Sequence, residues 1–264
     1  MLLENKNSKK QKTVTVRDIV IGGPEKVIIS GPCSVEDYET MRKIGSGLKK
    51  CGVQILRGGA FKPRTSPYDF QGLKHEGVKI LHEVGKEFDM PIVTEIMDAR
   101  DLESCAEHLD MIQVGSRNMY NYTLLKELGN YNIPILLKRG MSATLTEWLN
   151  AAEYIISSGN SDVVLCERGI RTFETYTRNT LDLNLVAAIK ENYNIPIIVD
   201  PSHGTGRREL VGKMSLAGIV AGGDGVIIES HINPDKAISD AKQTISIENL
   251  SEIISNIKKI ENLF

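Results

Sequence analysis

The chain has 264 residues, 41% hydrophobic and 25% charged, an ordinary globular composition with enough length to bury a large core as one or two domains. Its 32 Lys+Arg against 34 Asp+Glu leave a formal net charge of −2, so no global field draws it to nucleic acid or to an anionic membrane, and any anion site must be local. No apolar run approaches the roughly 18 to 20 residues of a membrane span, and the start MLLENKNSKKQK lacks the apolar centre of a signal peptide, which sets the expectation of a cytoplasmic protein. Cys33, Cys51, Cys105 and Cys166 show no CxxC spacing and are few for this length, against a disulfide framework or a zinc ribbon.

The charged start, residues 1 to 13, lacks periodicity and reads as a loose tail. TVTVRDIVI at 13–21 alternates as a short strand or hairpin does. From Val27 a simple unit repeats: a short β-branched run, a polar or glycine turn, then a segment with helical spacing. The runs are VIISGPCS from Val27, QILRGGAF from Gln54, PIVTEI from Pro91, DMIQVG from Asp110, PILLKRG from Pro134, VVLCERG from Val163, PIIVDPSH from Pro196 and GVIIES from Gly225. Their starts lie 19 to 37 residues apart, which suits successive βα units and leaves no room for independent domains. Eight such units predict a (β/α)8 TIM barrel, whose usual size is about 250 residues, with an open doubly wound sheet as the alternative. The expected division is a tail and short strand extension over residues 1–25 and the barrel over 26–264. Thr144 and Glu147 read as a capping box, and Leu250, Ile253, Ile254, Ile257 and Ile260 as an apolar helix stripe.

In such a barrel the chemistry stands at the C-terminal ends of the strands. Those ends carry Cys33 and Ser34, then Arg57, Lys62 and Arg64, Glu95, Arg117, Lys138 and Arg139, Glu167 and Arg168, Asp200 and His203, and Glu229 with His231. Loops are solvated, so any one of these residues could be an ordinary flanking group. Together with Arg171 the cations would crowd one opening, and like charges in a cleft call for an anionic ligand, which arginine forks suit when it is phosphate or carboxylate. Ion pairs with Glu95, Glu167 and Glu229 are the rival explanation for part of that crowd. Cys33, His203, Glu229 and Asp240 offer thiolate, imidazole and carboxylate, all competent ligands of first-row metals, although by residue type alone Cys33 and His203 read more often as core or structural residues than as ligands. HGTGRREL at 203–210 is either a phosphate-binding turn or a plain βα turn.

The strings GPCS (31–34), LRGGAFKPRTSPYDFQG (56–72), QVGSRN (113–118), LLKRG (136–140), CERGIRTFE (166–174), DPSHGTGRR (200–208) and IIESHINPDKAISDAKQ (227–243) resemble those of the 3-deoxy-D-arabino-heptulosonate-7-phosphate (DAHP) synthases, and among them the Iβ subgroup. The resemblance implies a metal-dependent barrel enzyme of the shikimate pathway that condenses phosphoenolpyruvate with erythrose 4-phosphate and releases phosphate. It implies Cys33, His203, Glu229 and Asp240 as ligands of one divalent ion, Mn²⁺ first, with Fe²⁺, Zn²⁺ and Co²⁺ open. Arg57, Lys62, Arg117, Lys138 and Arg168 would bind phosphoenolpyruvate, with Lys62 or Lys138 moving a proton. Arg64 and Thr65 would take the phosphate of the aldose, and Asp200 a sugar hydroxyl. Arg139, Arg171, Arg207 and Arg208 fall to outer or rim positions. The sister 3-deoxy-D-manno-octulosonate-8-phosphate synthases carry a KANRSS-like string where this chain has KPRTS at 62–66, which favours erythrose 4-phosphate over arabinose 5-phosphate. Many Iβ members carry a fused ferredoxin-like or chorismate mutase domain, and the residues ahead of Val27 are too few for either, so the expectation is a barrel without that regulatory domain. The resemblance also implies a dimer or tetramer. The short first strand would either cover the barrel bottom or join a subunit interface.

Overall fold

A computed structural model describes Leu3, residues 12–64 and residues 66–261. Most of the expected tail and Thr65 lie outside the described residues. The chain opens with a hairpin, β1 (Val14–Val16) antiparallel to β2 (Ile19–Ile21). Eight parallel strands follow: β3 (Val27–Gly31), β4 (Ile55–Arg57), β5 (Ile92–Glu95), β6 (Met111–Val114), β7 (Ile135–Lys138), β8 (Val163–Glu167), β9 (Ile197–Val199) and β10 (Gly225–His231). Each pairs with the next, and β10 pairs with both β9 and β3, which closes the barrel. A two-residue strand, β11 (Ile245–Ser246), extends β10.

All eight predicted runs are these strands. The helices between them are α1 (Tyr38–Cys51), α2 (His75–Glu87), α3 (Leu102–Cys105), α4 (Tyr122–Leu128), α5 (Leu145–Ser157), α6 (Leu183–Asn192), α7 (Pro201–Thr205), α8 (Arg208–Val220) and α9 (Ile247–Glu261). The shortest spacing, between β5 and β6, has room only for α3 flanked by two 3₁₀ turns. The capping box forms as expected: Thr144 Oγ1 accepts from the Glu147 amide at 3.3 Å, and Glu147 Oε2 accepts from the Thr144 amide at 2.8 Å. The α9 stripe buries Leu250, Ile253, Ile254 and Ile257.

Successive strand residues point to opposite faces, and this alternation divides the core in two. Ile29, Ile55, Val93, Met111, Leu136, Val164, Ile198 and Ile227 fill the barrel interior. Leu56, Ile92, Ile112, Leu137, Leu165 and Ile197 face outward into the helical layer. Val14, Val16 and Ile21 of the hairpin join the interior cluster, beneath the N-terminal ends of the strands, so the short first strand covers the barrel bottom. An apolar layer left open there would face water, and the hairpin removes it.

Candidate active site

The same alternation places the chemistry. Two residues beyond Ile55, Val93, Met111, Leu136, Ile198 and Ile227 stand Arg57, Glu95, Gln113, Lys138, Asp200 and Glu229, all buried above the apolar layer. Two residues beyond the outward Leu137 and Leu165 stand Arg139 and Glu167, which therefore meet outside the barrel. Arg139 Nη1 lies 3.0 Å from Glu167 Oε2 and 3.0 Å from Asp182 Oδ2. Of the cations expected at the mouth, Arg139 is thus neutralised structurally, as the ion-pair reading foresaw.

Above the interior layer opens a cavity of about 260 Å³. Arg57, Lys62, Arg64, Arg117, Lys138 and Arg168 all line it, while Arg171 does not. The buried cations differ in their partners. Arg57 Nη1 lies 3.0 Å from Glu229 Oε1, and Lys138 Nζ lies 2.6 Å from Asp200 Oδ2. Lys62 Nζ donates to the carbonyl oxygen and to Sγ of Cys33, each at 2.9 Å. Arg168 is 5% exposed and donates only to Gly169 O, at 3.5 Å; no carboxylate of the described residues pairs with it. Burial depresses its pKa, against the pull of Asp200. A buried guanidinium kept without a carboxylate is costly unless an anion completes it. Arg64 donates from Nε to Phe70 O at 3.2 Å, and Arg117 is exposed on the rim in the turn Ser116–Asn118.

Against Arg57 and Lys62, Cys33, Glu229 and Asp240 bring a sulfur and two carboxylate oxygens within 4.8 Å of one another. Cys33 Sγ lies 3.2 Å from Asp240 Oδ2. His203 Nε2 lies 3.4 Å from Glu229 Oε1, so the fourth predicted ligand stands beside Glu229 but outside the group in which the other three lie within 4.8 Å of one another. Asp240 adopts φ +52°, a left-handed conformation that its carbonyl oxygen stabilises by accepting from Gln243 N, Thr244 N and Thr244 Oγ1 at 3.1, 3.2 and 3.0 Å. Burial by itself would raise the pKa of Glu229, but His203, Arg57 and Lys62 hold the carboxyl well below its usual range. Burial, with Glu229 and Asp240 nearby, pushes the Cys33 thiol up to about 11, against Lys62. Burial also lowers the pKa of His203, opposed by Asp200 and Glu229, which favours the neutral imidazole. A thiol and two carboxylates in one group, with an imidazole beside one of them, are a donor set that suits a first-row divalent cation.

Asp200, expected at a sugar hydroxyl, has partners within the protein as well. It is the N-cap of α7: Oδ1 accepts from His203 N at 2.9 Å, and Oδ2 lies 2.8 Å from His203 Nδ1 and beside Lys138. Both oxygens are thereby engaged, and the aspartate orients His203 with Nε2 toward the ligand group. The 203–210 stretch is two helices rather than one turn, since α7 starts at Pro201 and Gly206, at φ +66°, ends it before α8.

Three residues had no role in the sequence reading. Arg178, from the long loop after β8, lines the cavity and lies 3.5 Å from Asp240 Oδ1. Gln243 donates to Glu229 Oε2 at 2.6 Å. Gln113 donates to Glu95 Oε2 at 3.2 Å, while Glu95 Oε1 is buried without a hydrogen-bond partner among the described residues. Burial raises the pKa of Glu95 despite Lys62 and Lys138. A polar residue in an inward position of an apolar run was the available signal for Gln113; Arg178 offered none.

Against known proteins, the sequence matches the DAHP synthetase I family over residues 4–264. The chain belongs to that family. A phospho-2-dehydro-3-deoxyheptonate aldolase of Thermotoga maritima is 48% identical over 247 residues, 94% of this chain and 73% of that protein. The crystal structure of the DAHP synthase from Thermotoga maritima superposes with a TM-score of 0.95 at 45% identity, covering 99% of this chain and 77% of that one. A 2-dehydro-3-deoxyphosphooctonate aldolase of Desulfotalea psychrophila is 27% identical over 263 residues, 92% of each protein. Membership of the DAHP synthetase I family makes the chain an enzyme of the transferase class on a TIM barrel. Among the described residues no helix is long and apolar enough to cross a membrane.

Proposed function

We propose that this enzyme condenses phosphoenolpyruvate with D-erythrose 4-phosphate to 3-deoxy-D-arabino-heptulosonate 7-phosphate and inorganic phosphate, with one divalent metal ion as cofactor. The observation that carries the reading is Arg168, a buried guanidinium with no carboxylate partner among the described residues, in the same cavity as six further cations and near a group of thiol and carboxylates with an imidazole beside it. A ligand with both a carboxylate and a phosphate would complete those cations. KPRTS at 62–66, in place of the string typical of the octulosonate branch, supports the four-carbon aldose.

Arg57, Lys62, Lys138 and Arg168, with Arg117 from the rim, would hold the enol phosphate still, which removes much of the entropic cost of a two-substrate reaction. Arg64 and Thr65 would take the phosphate of the aldose. Cys33, His203, Glu229 and Asp240 would hold the ion, for which Mn²⁺ is the first expectation and Fe²⁺, Zn²⁺ and Co²⁺ are alternatives. When bound, it would supply Lewis acidity toward the aldehyde oxygen. C3 of phosphoenolpyruvate forms the new bond to C1 of the aldose and leaves C2 electron-poor. Water adds to C2, and cleavage of the bond from C2 to the phosphate ester oxygen releases phosphate. Glu95, which lines the cavity with one oxygen unpaired among the described residues and a pKa raised by burial, is suited to hold that water and receive its proton, with Lys62 and Lys138 lining the same cavity to relay it. Fixed cations around the developing charge act without reorganising. The likeness to the family also supports the Iβ subgroup, a cytoplasmic location and a dimer or tetramer.

The test is phosphate release from phosphoenolpyruvate by metal-stripped enzyme, given erythrose 4-phosphate or arabinose 5-phosphate, before and after Mn²⁺ is restored. Turnover that needs both Mn²⁺ and erythrose 4-phosphate supports the reading. A preference for arabinose 5-phosphate would move the enzyme to the octulosonate branch, and full turnover without metal would overturn the ligand assignment.

A further inference from the structure

Two carboxylates in the ligand group do not stand alone. Glu229 uses Oε1 toward Arg57 and His203, and its Oε2 accepts from Gln243 Nε2 at 2.6 Å. Gln243 is 3% exposed, and its other amide atom, Oε1, accepts from Arg178 Nη1 at 3.1 Å. The same Nη1 lies 3.5 Å from Asp240 Oδ1, whose sister oxygen faces Cys33. Gln243 N also donates to the carbonyl oxygen of Asp240, which helps to hold that residue in its left-handed conformation. An amide placed between a carboxylate and a guanidinium has one satisfied orientation, nitrogen toward the acid and oxygen toward the arginine. One side chain thus touches Glu229 directly and Asp240 through Arg178.

We propose that Gln243 is a positioning residue of the metal site: with Arg178 it holds Glu229 and Asp240 so that one oxygen of each stays grouped with Cys33 Sγ, with His203 Nε2 beside Glu229. This rests on the ligand assignment of the preceding subsection. Groups that hydrogen-bond to ligands commonly set affinity by about 10- to 100-fold, because a carboxylate free to rotate must be ordered again on binding.

The experiment measures Mn²⁺ affinity by competition with a chelating dye, and the thiolate-to-metal absorption of the Co²⁺-loaded protein, in the parent, Gln243→Met, Arg178→Ala, Arg178→Lys and Cys33→Ala. The methionine keeps length and packing and removes the amide. Gln243→Met is expected to weaken Mn²⁺ binding about 10- to 100-fold with the metal-free thermal midpoint close to the parent. Arg178→Ala should fall in the same direction, with Arg178→Lys partly restoring affinity. Arg178 is partly exposed, so its variants report even if the buried position does not tolerate change. Parent-like Mn²⁺ affinity in both Gln243→Met and Arg178→Ala would overturn the proposal, as would a loss explained wholly by a fallen metal-free midpoint. If Cys33→Ala binds Mn²⁺ as the parent does, the ligand assignment itself fails and the positioning role with it.

Discussion

A Cβ on Gly115 would stand 2.1 Å from Oε1 of Glu95. Glycine is required there for space, since Gly115 has an ordinary φ of −71°. Gly115→Ala should push the Glu95 carboxyl away from its place near Lys62 and Lys138. Displacement of about 1 Å near reacting atoms can cost on the order of 100-fold in rate. Steady-state kinetics should show kcat falling by about that factor; an unchanged kcat would remove Glu95 from the reaction.

Arg139 and Arg168 lie at the ends of neighbouring strands with opposite roles. Arg139→Met leaves Glu167 buried without its cation, a loss of about 3 to 5 kcal/mol, visible as a lower urea midpoint. Arg168→Met removes a buried charge that has no carboxylate partner among the described residues, so stability should hold or rise. Its cost should appear in the KM for phosphoenolpyruvate, by about 10- to 150-fold if one charged hydrogen-bonded contact of 1.5 to 3 kcal/mol is lost. Reversed outcomes would mean that the two arginines had been assigned the wrong way round.

Asp37 caps α1, with Oδ1 accepting from Thr40 N at 2.8 Å and Oδ2 from Thr40 Oγ1 at 2.7 Å. Those bonds hold its carboxyl below the ordinary value of 3.8. A depressed folded pKa adds stability above the unfolded value and loses it as pH falls through the folded one. Asp37→Ala should therefore cost about 1 kcal/mol near neutral pH, and the gap from the parent should narrow in acid. Urea melts of parent and variant from pH 7 down to 3 would check this, a constant gap being the contrary result. Asp37→Asn keeps a cap that does not titrate.

Ile21 is fully buried in the interior cluster at the barrel bottom. Ile21→Ala should cost about 2 to 5 kcal/mol while leaving kcat and KM near parental values, because the mouth lies at the other end of the strands. A change in KM without loss of stability would show that the hairpin communicates with the site.

Much of this protein was legible along the chain. Eight β-branched runs at βα spacing determined the strands and predicted a barrel, with an open doubly wound sheet as the alternative, because local periodicity is a property of neighbouring residues; the pairing of β10 with β3 decided between them. Alternation along each run also carried Arg57, Lys138, Asp200 and Glu229 to the inward face, since pleating reverses every residue. Thr144 and Glu147 formed the cap their spacing announced. What the chain did not reveal was pairing. That Arg139 meets Glu167 and Asp182, that Asp200 serves His203 and Lys138, and that Arg168 is left without a carboxylate all depend on distances between strands far apart in sequence. Arg178 and Gln243 reach the ligand group from loops without periodicity, and the hairpin finds the barrel bottom because only closure creates an apolar end to cover. Sequence determines which residues face inward; tertiary structure decides which charges neutralise one another, because a Coulomb contact is set by separation in space and by the water excluded around it.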